Sequence, residues 1–257
     1  MNGPNPFVPV LDEVAARITR TAPCWRTDPM QWAYCLREAV GLVAPDWVLA
    51  NYDPSTEVDA ITDTASESAA VLDVEVAESP ILVSALELTS VLTKLYPRHP
   101  VAASVTGPAT LSLRLAERFS TPSEQLPDLV ADVGDLLGAL VADYVTAGAN
   151  RILVWEPVAL DGVFPADRLD DLADAHAPLL RRLDTMGVPA VLCGAERLPE
   201  RGYRHHAVAG RGLAPAARFG AEPFLELWQE LCRGHDGPII TDGPIPGDCD
   251  LSLLSAR

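Results

Sequence analysis

The clearest pattern in the chain is a hydrophobic stripe between Leu126 and Val145. Its apolar residues recur three or four positions apart, the spacing of an amphipathic helix; they stand at positions 126, 129, 130, 133, 136, 137, 140, 141, 144 and 145. Gly148 follows, and glycine commonly ends a helix. The short apolar run 151–155 then predicts a strand buried on both faces, which stops at Glu156 and Pro157. The stretch is therefore one helix–strand unit of a parallel α/β fold.

The same unit recurs along the chain. Short apolar runs predict seven strands, at 7–11, 47–52, 101–106, 151–156, 189–193, 205–209 and 238–241. Helical patterns separate most of them, and this alternation indicates an α/β protein with a TIM-like (β/α)8 barrel. Because eight strands close such a barrel, and the segment between Cys193 and His205 is too short for a further unit, we expect a barrel that is incomplete or irregular by one βα unit.

Residues 55–79 interrupt this pattern, because Ser, Thr, Asp, Glu and Ala dominate there. We expect an acidic, exposed excursion over the mouth of the barrel. Its acidic residues are expected on a solvated face; they are Glu57, Asp59, Asp63 and Glu67. The whole chain, residues 1–257, suits one TIM-like barrel domain.

Charge and composition exclude several classes of protein. The formal net charge of −17 argues against nucleic-acid binding, which requires a basic surface. No run of 18 apolar residues predicts a membrane span, and the first residues do not resemble a signal peptide. The five cysteines are scattered without a CxxC pair, which favours neither a disulfide framework nor a zinc ribbon. A reducing cytoplasm is the expected location.

Three acidic residues are candidates for catalysis, because each ends a predicted strand. Asp53 and Glu156 are both followed by proline, and Asp242 by glycine. In α/β barrels the carboxyl ends of the strands carry the active site, so we expect the three carboxylates to open into one pocket. Carboxylates that converge raise one another's pKa, which suits acid–base chemistry. The structural alternatives are a helix N-cap for Asp53 and a turn residue for Asp242.

Six further residues on or just after the predicted strands are candidates for substrate binding. They are Asn51, Thr106, Cys193, His205, His206 and Arg211. Structural alternatives exist for these as well: a buried inert thiol for Cys193, and a surface ion pair for Arg211. The two histidines alternate across a strand, so only one can face the barrel interior. By the same alternation Tyr52 and Trp155, which precede Asp53 and Glu156, are expected to pack between barrel and helices.

Four motifs resemble the uroporphyrinogen decarboxylase superfamily of TIM barrels. This superfamily includes corrinoid-protein methyltransferases and is related to cobalamin-independent methionine synthase. The matching segments are DWVLANYD at 46–53, VAASVTGPATL at 101–111, the strand with its preceding glycine at 148–156, and PIITDGPIP at 238–246. The resemblance implies a shortened, divergent member of this superfamily, with Asp53 in the place of the decarboxylase's catalytic aspartate.

The chain departs from the superfamily at two sets of positions. The decarboxylase binds its carboxylate-rich substrate with an arginine-rich segment after the first strand, where this chain has only Arg17, Arg20 and Arg26 in no matching motif. The methyltransferases hold zinc with a His-x-Cys pair at the fifth strand and a cysteine after the last. Here Cys193 occupies the first cysteine position, but Val191 and Gly243 stand near the other two. A catalytic zinc site needs three protein ligands, so we expect no metal and no cofactor.

These residues predict an enzyme that performs metal-independent acid–base chemistry on a small apolar, neutral or cationic molecule. Decarboxylation, or a protonation-driven isomerisation or cyclisation, fits such a site. Uroporphyrinogen itself is not expected as substrate, because its eight carboxylates would be repelled. Two alternatives remain: a methyltransferase with a thiol or corrinoid partner, and a non-catalytic relative that binds a metabolite or a partner protein. No membrane or nucleic-acid partner is expected, and a homodimer is expected only by analogy with the family.

Overall fold

A computed structural model describes residues 5–157, 169–194 and 202–254 of the chain. Eight strands, all parallel to their neighbours, form one sheet in the order β1-β8-β7-β6-β5-β4-β3-β2. The strands are β1 (Phe7–Val10), β2 (Val48–Leu49), β3 (Val101–Thr106), β4 (Arg151–Trp155), β5 (Ala190–Cys193), β6 (His205–Ala209), β7 (Gly212–Ala214) and β8 (Ile239–Pro244). The amides of Asp46 and Trp47 donate to the Phe7 carbonyl, which joins β1 to the residues entering β2. The sheet is therefore a nearly closed barrel, and the predicted TIM-like fold is confirmed.

Helices lie between most of the strands. They are α1 (Asp12–Thr19), α2 (Pro29–Val43), α3 (Thr56–Thr64), α4 (Pro80–Leu95), α5 (Pro108–Phe119), α6 (Leu126–Thr146), α7 (Leu169–Met186), α8 (Phe224–Leu231) and α9 (Leu251–Leu254). Within the ranges just given, none of these helices is long and apolar enough to cross a membrane.

The irregularity of the barrel lies between β6 and β7. Gly210 and Arg211 alone join these parallel strands, and the register pairs Val208 with Gly212. Gly210 and Gly212 both have positive φ, which allows the tight loop that brings β7 beside β6 in the same direction. The predicted count of seven strands was wrong by one because β7 has only three residues, too few to show a period.

Two hydrophobic clusters divide the apolar residues between the inside and the outside of the barrel. The interior cluster contains Leu153 and Trp155 of β4, with Val191 and Cys193 of β5. The outer cluster contains the alternate residues Ile152 and Val154, together with the helices. Trp155 therefore faces the barrel interior and Glu156 faces the helix layer, which is the reverse of the expected orientation.

Residues 55–79 are more ordered than their composition suggested. They form α3 and two short 3-10 helices, Ser68–Asp73 and Val76–Glu78. On α3, Thr56, Glu57, Ala60 and Ile61 are buried. The expected solvated position of Glu57 is therefore wrong: its side chain belongs to the face of α3 that packs on the barrel.

Candidate functional site

A pocket lies at the carboxyl ends of β2, β3 and β4, where α/β barrels carry their active sites. It is lined by Tyr52, Asp53, Pro54, Glu57, Ser104, Val105, Thr106, Thr110, Arg114, Trp155 and Pro157. Loops after β2 and β4, helix α3 and the start of α5 supply most of these residues. The lining combines an aromatic and apolar surface with two carboxyl groups and one guanidinium.

Glu57 is the most deeply buried acid of this pocket, with 3% of its surface exposed. The Thr106 hydroxyl donates to Glu57 Oε2 over 2.9 Å. The other oxygen, Oε1, has no hydrogen-bond partner among the described residues. Burial raises the pKa of Glu57 to about 7, and the negative charge of Asp53 acts in the same direction. The carboxyl group is thus half protonated near neutral pH, with one oxygen available to a ligand.

The raised pKa of Glu57 predicts a stability that falls as pH rises. The folded protein retains a proton that the unfolded chain loses near the ordinary pKa of 4.5, so the loss of stability extends from about pH 4.5 to about pH 7 and then levels off. The shift corresponds to roughly 3 kcal/mol. Chemical denaturation at several pH values should show a larger loss of stability in the native protein than in Glu57→Gln. Burial also raises the pKa of Asp12, to about 6, so stability falls with rising pH for this reason in both proteins.

Asp53 also lines the pocket, but its carboxylate is fully engaged. The Arg26 guanidinium donates to Oδ2 over 2.7 Å, and the amide and hydroxyl of Ser55 donate to Oδ1. Burial acts to raise the pKa of Asp53, but the bonds from Ser55 and Arg26 outweigh it and lower the pKa. Asp53 is therefore a negatively charged neighbour of Glu57. The Arg26 guanidinium that pairs with Asp53 also pairs with Asp59 of α3.

Tyr52 and Trp155 form an aromatic wall of the pocket. Their rings meet edge to face with centroids 5.0 Å apart. The Tyr52 hydroxyl donates to the backbone carbonyl of Asp242 over 3.2 Å. Trp155 is 7% exposed, and its indole Nε1 has no acceptor within the described part of the chain.

Glu156 lies behind the pocket wall, in the helix layer, and is completely buried. Its carboxylate accepts hydrogen bonds from the amides of Ala109 and Thr110 at the start of α5, and from the Thr110 hydroxyl, over 2.9, 2.8 and 2.5 Å. On its other side, His176 Nε2 of α7 lies 3.2 Å from Oε1, and His176 Nδ1 contacts the Tyr203 hydroxyl over 2.5 Å. Glu156 thus binds β4 to two helices and does not line the pocket with Asp53.

Gly107 makes room for the Glu156 carboxylate. A Cβ atom at this position would lie 2.4 Å from both Cδ and Oε1 of Glu156. We therefore expect Gly107→Ala to lower the free energy of unfolding by at least 1–3 kcal/mol, roughly the cost of overpacking a core. Gly41→Ala is the matched control, because a Cβ there meets nothing within 4 Å; on helix α2 it should leave stability unchanged or raise it slightly. Thermal denaturation of both variants tests the difference, and equal effects would contradict it.

Asp242 is exposed, and its Oδ1 accepts a hydrogen bond from the Ala216 amide over 2.8 Å. It is absent from the lining of the pocket, so the three predicted acids do not open into one pocket among the described residues. Asp53 lies there, and Glu57, which the sequence reasoning placed in solvent, is the second acid. The signal for Glu57 was available: Glu57, Ala60 and Ile61 follow the i, i+3, i+4 spacing of a buried helical face.

The predicted substrate-binding residues are scattered. Thr106 lines the pocket, whereas Asn51 is buried between β2 and β3, where its amide bonds the backbone of Ser104 and the Tyr144 hydroxyl. Cys193 is buried inside the barrel, and burial raises the pKa of its thiol.

The other three lie further from the pocket. His205 begins β6 and lies beside Gly237, at the opposite end of the barrel. His206 packs edge to face against Tyr203, and Arg211 is exposed in the turn between β6 and β7.

The zinc site of the related methyltransferases does not fit these residues. Val191 and Cys193 both belong to the interior hydrophobic cluster, and the buried thiol resists ionisation, whereas zinc binds the thiolate. Across residues 5–157, 169–194 and 202–254, no group of three His, Cys, Asp or Glu side chains could hold a metal ion.

Comparison with known proteins supports the fold. No protein-family model matches the chain, and no curated protein matches it. Among solved structures, the chain is similar to a methyltransferase from Methanosarcina mazei, with a TM-score of 0.66 and 16% identity over 97% of this chain and 91% of that one. The chain thus shares its TIM-like fold with this protein, and at 16% identity the similarity supports the fold alone.

Proposed function

We propose that this chain is an enzyme that performs acid–base chemistry on a small molecule in the pocket between β2, β3 and α3. The observation that carries the proposal is the buried Glu57 carboxyl in the pocket lining, with a pKa of about 7 and one oxygen that has no hydrogen-bond partner among the described residues. A general acid or base is most effective when its pKa lies near the working pH. Buried carboxyl groups with such values are also concentrated at functional sites.

Each neighbour of Glu57 has a role in this proposal. Thr106 holds Oε2, which leaves Oε1 to exchange the proton. Arg26 holds Asp53 in its ionised form, and the negative charge of Asp53 helps to raise the pKa of Glu57. The apolar lining suits a reaction that begins with protonation, as in an isomerisation, a cyclisation or a decarboxylation.

Methyl transfer is the second candidate, and the fold shared with a methyltransferase favours it. Without the zinc site of the related enzymes, a thiol acceptor would need a base, and Glu57 is the group in the pocket that could take its proton. A corrinoid partner would then have to present the methyl group at the same mouth. Both candidates require Glu57, but they differ in the product.

The test is an untargeted search for substrate. Purified protein is incubated with a cellular small-molecule extract, with and without methyl donors, and the mixture is analysed by mass spectrometry. Glu57→Gln serves as the inactive variant, and Asp63→Asn, an exposed acid of the same helix, as the matched control. Loss of CO₂ or an isomer of equal mass supports the first candidate, and gain of a methyl group supports the second. A compound that stabilises the protein without being converted would identify a binding protein and contradict both.

A further inference from the structure

The indole of Trp155 is a buried hydrogen-bond donor that lacks an acceptor among the described residues. Its position is fixed from two sides: its ring packs against Tyr52, and its backbone carbonyl accepts the Gly107 amide over 2.7 Å. A buried donor without a partner is costly, and folded proteins rarely keep one. An unpaired donor in the wall of a pocket is therefore evidence about the ligand.

The same pocket contains the complementary group. Glu57 Oε1 is a buried acceptor without a donor, and both Glu57 and Trp155 line the pocket. The rest of the lining includes the apolar Val105, Pro54 and Pro157 and the guanidinium of Arg114. A bound molecule could therefore accept a hydrogen bond from Trp155 Nε1 and donate one to Glu57 Oε1.

We propose that the substrate is a compact uncharged molecule that carries a carbonyl oxygen, bound by the Trp155 indole N–H, and an N–H or O–H group, bound by Glu57 Oε1. Lactams, cyclic imides and hydroxy ketones have this chemistry. The charges around the pocket nearly balance, because Arg26 pairs with Asp53 and the lining contains both Glu57 and the Arg114 guanidinium, which favours an uncharged molecule. This inference rests on the proposed function, because it takes the pocket around Glu57 as the site of the reaction.

Two lactam probes of the same ring test the pattern. Pyrrolidinone has both the carbonyl and the N–H, whereas N-methylpyrrolidinone has lost the N–H. The readout is the indole N–H signal of Trp155 in a ¹⁵N correlation spectrum. The chain has five tryptophans, and the signal that disappears in Trp155→Phe is that of Trp155.

Pyrrolidinone should shift the Trp155 signal and bind roughly tenfold more tightly than its N-methyl analogue, because one hydrogen bond to a charged group is worth about that factor. Glu57→Met should reduce this difference to less than about twofold. In Trp155→Phe, ligand-observed NMR should show both probes weakened by about tenfold. The contrast between the probes on native protein requires no variant, so a variant that fails to fold does not end the test.

Equal binding of the two probes, or an unshifted Trp155 signal, would overturn the inference. Tighter binding of cyclopentanecarboxylate, an anion of similar size, would overturn it as well. These binding results do not depend on turnover. If the probes behave as expected but the Glu57→Gln variant retains full activity on its substrate, the proposed function fails; if the variant is inactive but the probes bind alike, only the substrate class fails.

Discussion

Replacement of Glu57 by glutamine is expected to lower kcat on the natural substrate by about 10²–10⁴-fold, the usual contribution of a general acid or base. The amide has nearly the same shape, and its oxygen can still accept the Thr106 hydroxyl that now bonds Oε2. The fold should therefore change little. The amide NH2 that replaces Oε1 cannot accept a hydrogen bond from the substrate, so KM should rise about tenfold in addition to the fall in kcat. Steady-state kinetics on the substrate found by the extract screen measures both constants.

The pH dependence of the rate gives an independent check on the same residue. The native profile should contain a limb near pH 7, the pKa of Glu57. The hydrogen bond from Thr106 acts to lower this pKa, so Thr106→Val should move the limb to higher pH. Asp63→Asn should leave both the rate and the limb unchanged. Activity of Glu57→Gln within about threefold of native would exclude the acid–base role, since a general acid contributes at least a hundredfold.

Glu156→Ala is expected to lower the free energy of unfolding by about 3–5 kcal/mol, because several buried donors lose their acceptor at a cost of about 1–3 kcal/mol each. The substitution leaves the amides of Ala109 and Thr110 and the Thr110 hydroxyl without their acceptor in a buried layer. It also removes the carboxylate beside His176. For a chain of this size the melting temperature should fall by roughly 10 °C.

Two controls separate this effect from a simple loss of charge. Glu117→Ala removes an exposed carboxylate from α5 itself and should change stability by no more than about 0.5 kcal/mol. Glu156→Gln keeps an acceptor for the start of α5 and should cost less than the alanine variant. If Glu156→Ala lowered the free energy of unfolding by less than about 1 kcal/mol, the start of α5 would not depend on this carboxylate, and the prediction would be wrong.

The architecture of the protein could be read from the sequence because its long elements repeat one pattern. The apolar stripe of α6 and the flat apolar run of β4 each indicate their structure without help from the rest of the chain. Short elements give no such signal. β2 and β7 have two and three residues, and their positions depend on the neighbouring strands that supply their hydrogen bonds.

The candidate pocket lies at strand ends considered in the sequence analysis, but two of the three predicted acids, Glu156 and Asp242, lie outside its lining. Strand alternation requires that either Trp155 or Glu156 face the interior, and polarity suggested Glu156. The interior cluster instead contains the Trp155 ring. The Glu156 carboxylate can be buried on the other side because it accepts hydrogen bonds from amides at the start of α5, which have no partner within the helix. These amides lie in another part of the sequence, so the sequence of β4 alone does not show which of the two side chains faces the interior.

The two sides of the pocket differ in how firmly they are held, which has a consequence for its dynamics. Thr110 is bound to a fully buried carboxylate, whereas Asp59 of α3 is joined to the protein by the ion pair with Arg26, whose side chain is 33% exposed. Exposed ion pairs contribute about 0–1 kcal/mol and weaken with salt. We therefore expect the amides of α3 to exchange with deuterium faster than those of α5, and to exchange faster still as salt is added. Release of a bound molecule would then proceed on the α3 side, at a rate set by ionic strength.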